Sequence, residues 1–348
     1  MAAPQSKAAA MEKVITPNQS LHELIIQHPE LSDHPLRWTA RHLELLHCTF
    51  QQIDVPPEAK TGAHEEWAMP YETELANNPW FGGYERKASR FRVLFNSERG
   101  RLVNYCTEPT FYFNGRSKHR PHCPIYYLER KHDEEDGNKE NNDQEDGEQE
   151  RNKTKSPFIG FFAYSSITEQ RQERCFPMRY RNRPDDAQQL WDHRVKECTP
   201  ETWFQDPYFL CLIISLAQCQ WRDSRYTFCP IRLVVCHDDE KDYAYVYYAQ
   251  FPKGILDQLD TPATKTEATW PTIYYTKIPF QPYGTFHDRM EKALLDAKVG
   301  TSAEGVETGC KSVEVENPNA TAEVSNIRHS LGLMEISTNK GRALMDSY

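Results

Sequence analysis

The chain lacks the short signatures that point to many kinds of chemistry. There is no G-x-G-x-x-G, no Walker loop and no G-x-S-x-G elbow. Dinucleotide binding, P-loop nucleotide hydrolysis and α/β-hydrolase chemistry therefore have no sequence support. None of the ten cysteines, at 48, 106, 123, 175, 198, 211, 219, 229, 236 and 310, forms a C-x-x-C pair, which leaves no redox or zinc-ribbon motif. The longest apolar run, Tyr208 to Ala217, is interrupted by Ser215 and falls far short of the roughly 20 residues a bilayer span requires. Met1 to Ala10 is alanine-rich but lacks the continuous apolar stretch of a secretory leader. Cys211, Cys219, Cys229 and Cys236 sit inside apolar runs, where a reduced thiol acts as a small hydrophobe. The expectation is an intracellular protein, cytoplasmic or nuclear, with no membrane association and with the sequons at Asn18, Asn152 and Asn319 unused.

The largest absence is local. From His132 to Lys153 there is not one apolar side chain. Such a segment buries too little to offset its conformational entropy, so it is expected to be disordered. It carries ten acidic and three basic residues, a net of −7, and the stretch from Val299 to Asn326 carries −4. Since the whole chain stands at −10, the remainder is close to neutral at +1. A near-neutral folded part gives no field for steering nucleic acid, which is therefore not the expected partner.

What is present reads as one α+β domain over residues 19–298, interrupted by an acidic insertion at 132–155 and flanked by a disordered N-terminus (1–18) and a tail (299–348). Ser20-Leu21-His22-Glu23 is a capping box, and the helix it opens ends at His28-Pro29. A second helix is expected after Asp33, with Leu36, Ala40, Leu43 and Leu46 inward. Residues 58–80 read as irregular. Phe91 to Phe95 and Arg101 to Tyr105 read as a hairpin, followed by short strands at Thr110 to Phe113 and Ile125 to Leu128. Phe158 to Phe162 is strand-like. If it neighbours Ile125 to Leu128, the acidic segment is a loop within one domain; an interdomain linker is the alternative.

The stretch from Arg171 to Arg183 reads as a basic, irregular connector. Asp206 is then a good N-cap and Pro207 a good first helical residue. The helix from Tyr208 is apolar on every side and so is expected to be buried centrally. Ile231 to Cys236 and Tyr243 to Phe251 form an antiparallel hairpin. A short helix carries Ile255, Leu256 and Leu259, Thr272 to Ile278 is a last strand, and a final helix starts at Thr285. The expected fold is a mixed or antiparallel sheet packed on a buried central helix.

Asp206-Pro207-Tyr208-Phe209-Leu210, the buried helix to Gln218, and Lys277-Ile278-Pro279-Phe280-Gln281-Pro282-Tyr283 with Phe286 form a recognisable set. Over roughly residues 200–297 this set resembles an uncharacterised filamentous-fungal protein group. The resemblance implies a fungal source and no assigned chemistry, so it carries over no site residue and no cofactor.

Candidate chemistry rests on four local clusters. Glu129-Arg130-Lys131 matches the Glu-x-Lys element of metal-dependent nucleases, in which the carboxylate holds Mg²⁺ and Lys131 would stabilise the attacking water or phosphate. Such a site also needs an aspartate on a neighbouring strand. Asp238 and Asp239, with Glu240 and Asp242, offer hard oxygen ligands, although the spacing is not an EF-hand loop and a solvated hairpin turn is the default reading. His119, His122 and Cys123, with His132, have metal-ligating chemistry but bunch together rather than forming two separated pairs. Arg171 to Arg183, interleaved with Phe176 and Tyr180, has the charge and stacking groups that contact single-stranded nucleic acid. Cys175 and His193 make an arithmetically allowed nucleophile pair without local support. Tyr243, Tyr245 and Tyr247 share one strand face, suited to a partner or to the core.

The leading expectation is a non-catalytic module that binds another protein and carries no cofactor. The alternatives are a divergent enzyme (a metal-dependent phosphodiesterase or an accessory catalyst of a fungal pathway) and, third, nucleic-acid binding through Arg171 to Arg183.

Overall fold

A helix that is apolar all round must be enclosed all round, and the architecture follows from that demand. The computed structural model describes residues 19–53, 70–77, 83–95, 102–106, 108–128, 158–176, 184–222 and 227–295. The expected disordered segments at 1–18 and 299–348, and the acidic segment, lie outside the described residues.

Among the described residues, seven strands form one mixed sheet. They are β1 (Phe50–Gln52), β2 (Leu102–Cys106), β5 (Ile125–Leu128), β6 (Phe158–Ala163), β7 (Phe228–Cys236), β8 (Tyr243–Pro252) and β9 (Ile273–Pro279), in the order β1-β9-β8-β7-β6-β5-β2. The β6–β7 and β1–β9 pairs are parallel and the other neighbours antiparallel. β3 (Phe111–Phe113) and β4 (Arg116–His119) make a separate hairpin, turned by Asn114 (φ 53°) and Gly115 (φ 65°), a turn that wants two left-handed residues. Ile125↔Gly160 and Tyr126↔Ile159 are cross-strand partners, so β5 and β6 are neighbours on either side of the acidic tract.

Both faces of the sheet are buried. Along β7, Ile231, Leu233 and Val235 face one core while Val234 and Cys236 face the other; along β8, Tyr245, Tyr247 and Phe251 alternate with Ala244, Val246 and Tyr248. This is why these strands read as continuous apolar runs instead of apolar-polar alternation. The central helix α7 (Tyr208–Arg222) covers the first face, with every residue from Tyr208 to Ala217 completely buried. Its outer side is closed by the β3–β4 hairpin, by α8 (Lys253–Asp260), and by an N-terminal segment containing α1 (Leu21–Gln27) and α2 (Ala40–Leu45). α3 (Pro70–Asn77), α4 (Gly83–Phe95) and α9 (Phe286–Leu295) cover the second face. The α+β sheet on a buried helix is thus present, with a second helical layer behind it.

α7 approaches β6 closely. A Cβ added at Gly160 would lie 2.6 Å from Leu216 Cδ1 and 2.8 Å from Cys123 Sγ, so the helix can seat on the sheet only where β6 has no side chain.

Four expectations require correction. Phe91 to Phe95 is the last turn of α4, not a strand. Phe91, Leu94 and Phe95 are buried and Val93 is 37% exposed, which is the i, i+3, i+4 pattern of a helix. The run Phe-Arg-Val-Leu-Phe satisfies a period of 2 as well as one of 3.6, and only the packing partner chooses between them. Within 58–80, Pro70 opens α3, because proline is well suited to a first helical position. The start of the expected irregular connector Arg171 to Arg183 is helical: residues 171–175 belong to α5 (Ser165–Cys175), residues 177–183 lie outside the described residues, and α6 (Pro184–Cys198) follows. The helix expected after Asp33 is split into a 3-10 turn at Pro35–Arg37 and α2, since Thr39 caps a new start.

Candidate functional site

Among the described residues, those singled out from sequence do not gather into one centre. Glu129 and Lys131 lie outside the described residues. Asp238 forms an ion pair with Lys87 Nζ at 2.9 Å, and Lys87 also donates to the His237 carbonyl at 3.1 Å. Lys87 is only 3% exposed, so Asp238 serves to neutralise a buried ammonium. Asp239 is exposed in the hairpin turn, where its backbone N–H is capped by His237 Nδ1.

His122 is exposed and paired with Glu108, whereas Cys123 is completely buried against β6. His119 Nε2 meets the Tyr208 hydroxyl at 2.7 Å. Successive residues on an extended segment point to opposite sides, so His122 and Cys123 do not share a ligand. Among the described residues no three His, Cys, Asp or Glu side chains are placed to hold a metal ion. Cys175 is buried, while His193 is exposed beside Glu197 at 3.3 Å. Tyr245 and Tyr247 belong to the core and Tyr243 is exposed at its edge.

Among the described residues, Cys48, Cys123, Cys175, Cys198, Cys211, Cys219, Cys229 and Cys236 form no disulfide. Burial pushes the thiols of Cys48, Cys198 and Cys236 up to about 12 and that of Cys229 to about 11, and raises Cys123 and Cys211 further. A thiol held in this way is an inert packing group.

Arg171, expected as part of a nucleic-acid-binding stretch, is 2% exposed and points inward from α5. Its guanidinium makes a two-pronged contact with Asp206, at 2.7 Å to each carboxylate oxygen, and its Nε donates to the Leu36 carbonyl at 3.1 Å. Asp206, fully buried, also accepts from the Tyr164 hydroxyl and the Tyr208 backbone N–H, each at 2.8 Å. Its N-cap role was legible in the sequence, but its charge partner 35 residues away was not. The cluster ties α5, the start of α7 and the N-terminal segment together, next to a hollow that Arg174 of α5 and Pro35 of the N-terminal segment line.

That hollow is a cleft of about 260 Å³. Its floor is Ile214 of α7 and Leu259 of α8, and aromatic walls come from Trp38, Phe111, Phe113 and Trp270. Ile25 and Leu31 close one side, and the polar lining comprises Ser32, Asp33, His34, His42, Ser117, Lys118 and Arg174.

The two histidines in the lining differ in their freedom. His42 accepts from the Thr39 backbone N–H at its Nδ1 (3.1 Å), which leaves Nε2–H to donate to the Glu30 carbonyl at 2.9 Å. Both ring nitrogens are therefore committed to structure. His34 Nδ1 accepts from the Leu36 backbone N–H at 3.3 Å, so in the neutral ring the proton sits on Nε2. Its ring lies edge-on to His119, with centroids 4.8 Å apart.

Burial, followed by the positive charges of Arg174, His119 and Arg37, depresses His34 to about 3. Burial, with His122 and Arg174, depresses His119 to about 4. Tyr208, whose hydroxyl proton is held by its burial, completes the chain.

His34, Lys118 and Arg174 come from three separate segments. No local spacing in the sequence could have joined them. No family model, no curated protein and no solved structure matches this chain.

Proposed function

We propose that this protein is a non-catalytic binding module whose ligand is a small molecule, received in the cleft between the N-terminal segment, the β3–β4 hairpin and α5. The observation that carries the reading is the cleft itself: an apolar hollow of about 260 Å³, walled by four aromatic side chains, with a few polar groups brought to it from distant parts of the chain. Apolar concavity with sparse convergent polar groups is the usual form of a small-ligand site. A cavity of about 150 Å³ takes a benzene ring, so this cleft has room for a ligand of roughly ten to fifteen heavy atoms.

A protein partner, the expectation from composition, finds less support in the described surface. Among the large exposed apolar side chains, Ile26, Val93, Phe228, Tyr243 and Leu295 stand on five different elements and Phe176 just past the end of α5, whereas an interface wants them contiguous. The Asp238–Lys87 pair and the high-pKa thiols also favour binding over catalysis, since these groups are engaged in holding the fold.

A fragment screen on the full chain, read by the indole N–H signals of Trp38 and Trp270, tests the proposal. Saturable shifts at both tryptophans are expected from a subset of fragments. Hits that cluster elsewhere, or none that saturate at these two residues, would remove it.

A further inference from the structure

The charged lining of the cleft is two cations, Lys118 and Arg174, and one carboxylate, Asp33. His34 lines the same cleft, and after burial the groups that oppose its protonation are Arg174, His119 and Arg37. Arg174 lines the cleft from the last turn of α5 and forms an ion pair with no carboxylate among the described residues. A guanidinium beside an apolar hollow, with a neutral imidazole presenting Nε2–H next to it, is a donor set for a planar anion.

Resting on the small-molecule reading above, we infer that the ligand is a compact apolar carboxylate. Its carboxylate sits between Arg174 and His34, and its hydrocarbon or aromatic body lies against Trp38, Phe113 and Trp270. Lys118, exposed on β4 and directed over the Phe113 ring at 5.8 Å, adds positive charge at the rim. The aromatic walls favour a flat body, because stacked or edge-on rings gain more than their buried area alone.

The test compares 2-naphthoate with 2-naphthamide, which have the same shape and differ in charge. Both are titrated into the full chain by calorimetry, with the Trp38 and Trp270 indole signals reporting location. Naphthoate is expected to bind at least about tenfold more tightly than naphthamide, the advantage of a charge-assisted over a neutral hydrogen bond. Arg174→Gln, at an exposed helix position, should bring naphthoate to within about twofold of naphthamide. Ser117→Trp, on the exposed β4 strand, narrows the cleft and should weaken both probes together.

Equal affinity of the two probes at the cleft, or an Arg174→Gln variant that keeps the difference, overturns the carboxylate assignment and leaves the cleft as a neutral-ligand site. Failure of both probes while neutral fragments still shift Trp38 and Trp270 likewise overturns only this inference. Failure of every fragment overturns the binding reading itself.

Discussion

The Arg171–Asp206 cluster offers the sharpest test of how this fold is held. Both partners are removed from water: the Arg171 side chain is 3% exposed and that of Asp206 is 0% exposed. Asp206 accepts four hydrogen bonds of 2.7–2.8 Å from Arg171, Tyr164 and the Tyr208 backbone. Asp206→Asn removes the negative charge and turns an N–H₂ toward the guanidinium, leaving a buried cation uncompensated. Removing one member of such a pair costs about 3–5 kcal/mol, a large part of the roughly 5–15 kcal/mol that holds a typical domain. Arg171→Met should cost about the same, for the mirror reason. The double variant Arg171→Met/Asp206→Asn buries no charge, so its loss should fall short of the sum of the singles by about 2 kcal/mol or more. Urea unfolding measures all three, and each single change should lower the midpoint by about 1–2 M without altering the slope. If the losses add within about 0.5 kcal/mol, or if either single change costs less than about 1 kcal/mol, the cluster is not the tie described.

Two further outcomes follow from particular residues. Phe91→Ala should cost about 3–5 kcal/mol while Val93→Lys, two residues away, stays within about 0.5 kcal/mol; equal costs in thermal unfolding would contradict the helical register of α4. His34 and His119 are held below the ordinary histidine value, to about 3 and about 4, so between pH 6.5 and about 4 the unfolded chain takes up protons that the folded rings refuse. Stability therefore declines as pH falls through this window. Both rings are partly exposed, so the decline is about 1 kcal/mol for each at pH 5. It should be smaller in a His34→Gln/His119→Gln variant, and an NMR titration midpoint near 6.5 for either ring would refute the assignment.

Much of the fold was legible because it is local. The Ser20–Glu23 capping box closes as written, with Glu23 N–H to Ser20 Oγ at 3.2 Å and Ser20 N–H to Glu23 Oε2 at 3.0 Å. Asp206 caps a helix whose uniform apolarity predicted its burial, and the β7–β8 hairpin follows from two apolar runs around a polar turn. The errors fell where the local pattern was degenerate. Phe91 to Phe95 fits two periods, and Arg171 to Arg183 looks solvated by composition although Arg171 is buried.

The amino-acid order alone determined where apolar chain begins and ends, which caps start which helices, and that α7 must lie inside. Those are properties of neighbours within a few residues, governed by backbone hydrogen bonding and by the cost of leaving hydrocarbon in water. Tertiary structure decided everything that depends on charge meeting charge or surface meeting surface across long separations. Arg171 became a buried tie because Asp206 arrives from another helix, and His34, Lys118 and Arg174 became the polar lining of one cleft because three segments close over α7. Coulombic and packing partners are set by distance in space, which spacing along a single chain does not encode.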